Sequence, residues 1–303
     1  MLEIKVATEN QQAHTRISDG ALSALVHRIG GDDDHFLVVQ RIPDIPGEFV
    51  QVWHEGGGVY ELEHRAGGPG THVRTVVDAP ERVAGLMTRW ARREPGWDAG
   101  VGWESAGLPE PEPVPGIAPE IRDQLEERVR ALLRGGYGSV AELAESAEDY
   151  LVKDGVHPVS RAQARLLVER LWLERVEEQR LWSDVTDADR LERAFAVLDG
   201  RGITAREHFT CCRACGISEI HAAGRDDARG FVFFHLQGTE SAAAGHGLTL
   251  YYGGFDESAE TTAAVGREVA AALGEAGLAV EWDGSPDRAI ELTGLDWRKR
   301  LVG

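Results

Sequence analysis

Hydrophobic and polar positions divide the chain into stretches with different periods. In the first, short apolar runs alternate with glycine- and proline-rich turns. Phe36 to Gln40, Phe49 to Trp53, Val59 to His64 and His72 to Val77 are β-type runs. Ile42 to Gly47, Gly56-Gly57-Gly58 and Ala66 to Gly70 supply the turns between them. Asp78 then stands where a helix cap is needed, with Pro80 in the first turn. Val83, Leu86, Met87 and Trp90 recur at the spacing of one apolar helix face, and the helix must end before Pro95-Gly96. The pattern predicts a four-stranded antiparallel meander with one helix over residues 1–104.

The period then disappears. Pro109, Pro111, Pro113 and Pro115 alternate with other residues, among them Glu110 and Glu112. Proline at every second position holds the chain extended and the glutamates keep it solvated, so 105–118 reads as a linker. Beyond it the period becomes helical. Glu120 to Leu133 is closed by Gly135-Gly136, and Ser139 to Leu151 carries Ser139 as cap with Glu142 at the capping-box position. Ser160 to Trp182 carries Leu167, Leu171, Trp172, Val176 and Leu181, and a fourth helix capped by Asp187 carries Leu191, Phe195 and Leu198. Residues 203–303 return to mixed character. Gly230 to Gln237 and Leu248 to Tyr252 read as strands, and Glu260 to Leu273 as an alanine-rich helix. Leu278 to Trp282 and Ala289 to Leu292 are strands joined by the turn Asp283 to Asp287. The expected fold class is α+β: a domain at 1–104, a linker at 105–118, and a helical segment at 119–200 packed with an α+β domain at 203–303.

Length and charge narrow the function classes. A chain of 303 residues suits two or three domains. The net charge of -19 opposes nucleic-acid and anionic-membrane binding, because both need a basic footprint. The acidity is spread along the chain, so it names no partner. No apolar run reaches about 18 residues and no secretory leader is visible, so a cytoplasmic location is expected. Of the 32 basic residues only Lys5, Lys153 and Lys299 are lysine, which reads as codon bias.

All three cysteines fall at positions 211–215. Cys212 and Cys215 form a C-x-x-C pair and Cys211 is vicinal to Cys212, with His208 before the cluster and His221 after it. Four readings are open. Thiolates with imidazole suit zinc, which makes His208, Cys211, Cys212, Cys215 and His221 the candidate ligands. Cys212 and Cys215 at a helix start could be redox active. One thiol could be a nucleophile served by a distant histidine. All three could be small core residues. Arg213-Ala214 is not the spacer of thioredoxin-like proteins, and no βαβ unit is evident before the pair. A second candidate is a polar row on the following strand, where alternation would align His235, Gln237 and Thr239, with Glu240 next to them. That row suits a pocket beside the cysteines or a solvated sheet face. Phosphate-loop, nucleophile-elbow and H-E-x-x-H signatures are missing.

From Ile203 onward the chain resembles an actinobacterial family known only as a domain of unknown function. The resemblance rests on Ile203 to Gly216 with its Phe-Thr-Cys-Cys-x-x-Cys-Gly string, on the Gly230 to His235 run with Gln237 and Thr239-Glu240, and on Leu250 to Gly253. The helices from about 119 are similar to that family's N-terminal part. Residues 1–104 resemble a separate small actinobacterial domain and, more distantly, immunity-type proteins that shield a cell from a toxin. The resemblance implies organisation but no activity. The expected function is therefore binding and not catalysis, with an unidentified protein partner and a structural or zinc-binding Cys/His turn. The alternative is a thiol-dependent enzyme or redox sensor using Cys212 and Cys215 with a nearby histidine.

Overall fold

A computed structural model describes residues 1–182 and 184–303. The fold is α+β with two sheets. The first is built from β1 (Ile4–Thr8), β2 (Ala13–Thr15), β3 (Phe36–Arg41), β4 (Glu48–Trp53), β5 (Tyr60–Ala66), β6 (Val73–Val77) and β7 (Glu104–Ser105). Its order is β2-β1-β3-β4-β5-β6-β7 and its pairs are antiparallel. The four expected strands are its middle. The three added strands are five, three and two residues long; β1 alternates over Ile4, Val6 and Thr8, whereas β2 and β7 are too short to show a period.

Helices α1 (Asp19–Arg28) and α2 (Pro80–Ala91) belong to the same unit. Helix α1 was not expected because its apolar face amounts to Leu22, Leu25 and Val26. Ser18 caps it by accepting from the Ala21 amide. Asp78 does not cap α2. Ala79 holds the cap position without a side-chain bond, and Pro80 removes one of the free amides instead. Ile4, Val6, Leu37, Val39, Val50, Val52 and Leu62 pack with Leu22, Val26, Val83, Leu86, Met87 and Trp90 in one core. The opposite sheet face carries Phe36, Trp53, Glu61 and Val76 in register across four strands.

Residues 106–118 carry no helix or strand. Helices α3 (Pro119–Gly135), α4 (Val140–Asp149), α5 (Arg161–Arg180) and α6 (Asp187–Gly200) follow. Capping boxes open α4 at Ser139/Glu142 and α5 at Ser160/Gln163. Helix α6 is capped by Thr186 with Asp189, not by Asp187, because a threonine one residue earlier can reach the third amide. Leu125, Val129, Leu133, Leu143, Val168, Leu171 and Trp172 form the helical core, which also takes in Leu301. Leu181 lies outside it at 82% exposure. The buried Trp172 indole donates to the Asp44 carbonyl at 2.6 Å, tying α5 to the β3–β4 loop.

The second sheet contains β8 (Ile203–Arg206), β9 (Gly230–Phe233), β10 (Leu248–Gly254), β11 (Val280–Glu281) and β12 (Ile290–Leu292), in the order β11-β12-β10-β9-β8. Helices α7 (Arg213–Ala223), α8 (Leu236–Ala243) and α9 (Ala259–Glu275) connect them. β8 and β9 are parallel, so the chain must cross over between them, and α7 is that crossover. The unit β8–α7–β9 is a βαβ unit, contrary to the expectation that none surrounds the cysteines. β9 is buried on both faces. Phe231 and Phe233 meet Ile220 of α7, while Val232 packs with residues of α6 and α9. The strand expected over 230–237 therefore stops at Phe233, and His235 begins α8. Among the described residues no helix is long and apolar enough to cross a membrane.

Candidate metal centre

The cysteines occupy the loop that leaves β8 and the first turn of α7. Cys212 is the N-cap residue of α7, and Cys215 lies three positions into the chain beyond it. The loop is pinned on both sides. The Phe209 amide donates to the Phe234 carbonyl at 2.8 Å, and the Leu236 amide donates to the Thr210 carbonyl at 3.0 Å. Thr210 Oγ1 donates to the Cys212 carbonyl at 3.2 Å. His208 and Thr210 both adopt positive φ, at 50° and 59°. Two non-glycine residues in this region are costly, and the surrounding bonds hold them there. On its inner side α7 presents Gly216, whose backbone lies so close to Phe233 that a Cβ would fall 2.3 Å from the ring.

The result is a compact group of thiols. The three Sγ atoms lie within 4.8 Å of one another, and Cys211 Sγ is 3.4 Å from Cys215 Sγ. Cys211 is exposed, and Cys212 and Cys215 are half-buried. The packed-core reading is thereby overturned, since none of the three is buried. The Cys212 thiol is held below the ordinary thiol range by the Cys215 backbone amide and by hydrogen bonds from the Cys215 and Cys211 thiols. The Cys215 thiol is pushed up to about 11 by its hydrogen bonds with Cys211 and Cys212 and by their charge.

The two histidines proposed as further ligands do not join the thiols. Among the described residues the metal-capable group is Cys211, Cys212 and Cys215 alone. The His208 ring stacks on Tyr137 with centroids 4.6 Å apart, and its Nδ1 lies 2.8 Å from Thr239 Oγ1. Burial holds the His208 pKa below the ordinary imidazole value. His221 lies six residues beyond Cys215 on the same helix, about 9 Å along its axis. There its ring sits against Phe255 at 4.4 Å.

The expected polar row on one strand face does not exist, because these residues start a helix. His235 caps α8, its Nδ1 accepting from the Gly238 amide at 3.2 Å. Burial lowers its pKa. Gln237 is exposed, Thr239 is buried against His208, and Glu240 pairs with Arg128 at 2.9 Å. One link to the thiols survives. Arg213, between Cys212 and Cys215, lies over the Tyr251 ring at 5.2 Å, and Tyr251 stacks on His235 at 5.4 Å.

A partly buried polar network behind the loop has no counterpart among the sequence expectations. Lys299 Nζ donates to Glu192 at 2.8 Å and to Glu207 at 3.0 Å, and Tyr137 donates to Glu207 at 2.6 Å. Burial opposes the Lys299 charge, but Glu207 and Glu192 outweigh it and raise its pKa. Burial and Glu207 raise that of Tyr137 well above the phenol value. The signal was the scarcity of lysine itself: a compact ammonium serves two carboxylates here where a guanidinium fork has a different shape.

Compared with known proteins, residues 118–301 match a family described as a domain of unknown function (DUF6891). The match spans more than half of the chain, and the chain belongs to that family. No curated protein matches it. No solved structure matches it either.

Proposed function

We propose that this DUF6891 protein acts by binding, and that its functional centre is a thiolate site for a thiophilic ion formed by Cys211, Cys212 and Cys215. The observation that carries the reading is the approach of three thiols to within 4.8 Å on a pinned loop at a helix start. Soft thiolates favour zinc and monovalent copper over hard cations. Zinc would take the three thiolates and leave its fourth position to solvent, which is the pattern of an open site and not of a closed structural one. His208 and His221 are not part of this ligand set. Free thiols of this kind persist in a reducing compartment, which fits a cytoplasmic setting.

The test is elemental analysis of purified protein with thiol titration before and after chelation. One zinc per chain, with three thiols protected until the chelator is added, supports the reading. Thiols that react at the same rate with and without added zinc contradict it.

A redox role is the second reading. It is favoured by Cys212 at the N-cap of a helix that follows a parallel strand, with Cys215 in the first turn. The N-terminal unit is proposed to engage a protein partner, in the manner of an immunity-type domain. The support is its open face, where Phe36, Trp53 and Val76 are 39%, 38% and 60% exposed.

A further inference from the structure

We infer that the site is built for a three-coordinate, all-sulfur ion, and specifically for trivalent arsenic presented as arsenite. This deepens the thiolate-site reading and rests on it. The donor set is the first argument. Among the described residues the group holds three sulfurs and no nitrogen or oxygen ligand. The two nearest histidines in sequence are committed to Tyr137, Thr239 and Phe255. A zinc ion here must find a fourth ligand. Trivalent arsenic needs none, because its lone pair fills that direction.

Charge is the second argument. Three thiolates around a divalent ion leave a net negative complex beside half-buried sulfurs, and removing charge from water is costly. Arg213, which follows Cys212 in the chain, is directed over the Tyr251 ring. Around trivalent arsenic the same three thiolates give a neutral complex. In a chain of net charge -19 that is the form the site accommodates at least cost.

Access and preorganisation are the third. Cys211 is exposed, so uncharged arsenite reaches the first sulfur from solvent. Cys212 and Cys215 then close the chelate on a loop already fixed by its bonds to Phe234 and Leu236. The exchange balances without a redox partner. Three As–O bonds of As(OH)3 break and three As–S bonds form. The three thiol protons leave with the three hydroxides as water, and arsenic stays trivalent.

Intact-mass measurement of the reduced full chain with arsenite tests this. The expected result for the unmodified chain is one arsenic per chain with loss of three hydrogens. Cys211→Ser, Cys212→Ser and Cys215→Ser should each weaken arsenite binding by about a hundredfold, because each removes one tethered contact. Circular dichroism establishes that the variants fold. Phenylarsine oxide, which needs two thiols, should still bind the Cys211→Ser protein. Arsenite bound with loss of two hydrogens, or equally well by one of the serine variants, overturns the three-coordinate assignment. Failure to bind arsenite while one zinc binds with three thiols protected overturns this inference and leaves the thiolate-site reading standing. Failure to bind either ion overturns both.

Discussion

The N-terminal sheet is antiparallel throughout, whereas the C-terminal sheet contains one parallel pair, and the thiols sit where that pair makes the difference. Antiparallel neighbours connect through hairpins such as the glycine turn between β4 and β5, which places short loops at the sheet ends. The parallel pair β8–β9 forces a crossover. The loop from the end of β8 into α7 then gathers side chains where a helix N-terminus begins, the usual place for chemistry in a βα connection. The first region buries one sheet face against α1 and α2 and leaves the other more open, part of it facing α4 and α5 across a cleft. The second covers β9 on both faces, with α7 on one side and residues of α6 and α9 on the other. A rigid backing of this kind is what three converging thiols need.

The contrast can be broken most strongly at the lysines. Lys299→Ala removes the cation between Glu192 and Glu207 and leaves the half-buried Glu207 without its charge partner beside Tyr137. A loss of about 3–5 kcal/mol in urea unfolding is expected. Lys5→Ala in the first region removes a contact to the Gly303 carbonyl and should cost under about 1 kcal/mol. Equal losses would show that the two regions do not differ in this respect. The raised pKa of Lys299 fixes the sign with pH. Its contribution is complete below the ordinary lysine value of 10.5 and is lost as pH rises through the higher folded value.

Glycine substitution gives the next largest effect, with opposite signs in the two regions. Gly216→Ala puts a Cβ 2.3 Å from Phe233 and should destabilise by about 1–3 kcal/mol, loosening α7 and with it the thiols. Gly85→Ala, in α2, meets nothing closer than Arg89 at 3.8 Å and should stabilise by about 0.5–1 kcal/mol. Thermal melts of the two variants decide the matter. Destabilisation by both would mean that α2 is as tightly seated as α7.

The effect that vanishes at low pH concerns the contact between the regions. Asp44 lines a cleft of about 860 Å³ between the open face of the first sheet and α4 and α5. Burial raises its pKa to about 6, countered by Gln40 and Lys5. A raised carboxylate favours the folded state when protonated, so this contribution is present below the ordinary value of 3.8 and lost as pH rises through about 6. Asp44→Asn should therefore stabilise by up to about 3 kcal/mol at pH 8, the worth of a shift from 3.8 to about 6, and by under about 1 kcal/mol near pH 4. A gain independent of pH would contradict this assignment.

Much of this fold is legible in the sequence because periodicity reports elements that are long enough. The four middle strands of the first sheet and the four helices from α3 to α6 follow from it. The short strands β1, β2, β7 and β8 lack the flanking turn signals that mark β6, β9, β11 and β12, and their places come from strand pairing. The missing β8 had a functional consequence. Without it the C-x-x-C pair has no βαβ setting, and the expected strand runs on past Phe233 into what is the start of α8. Clustering of three cysteines in the sequence pointed to the loop on which their Sγ atoms converge. It could not exclude His208, whose positive φ and stacking on Tyr137 are tertiary facts. Nor could it bring Lys299 to Glu207, 92 positions apart in the chain.

The central claim is that the three thiols act as one ligand set and the histidines do not. X-ray absorption at the zinc edge of the zinc-loaded full chain counts the neighbours directly. The account predicts three sulfurs at about 2.3 Å and no imidazole shell. Two or fewer sulfurs, or a histidine nitrogen in the first shell, would contradict it.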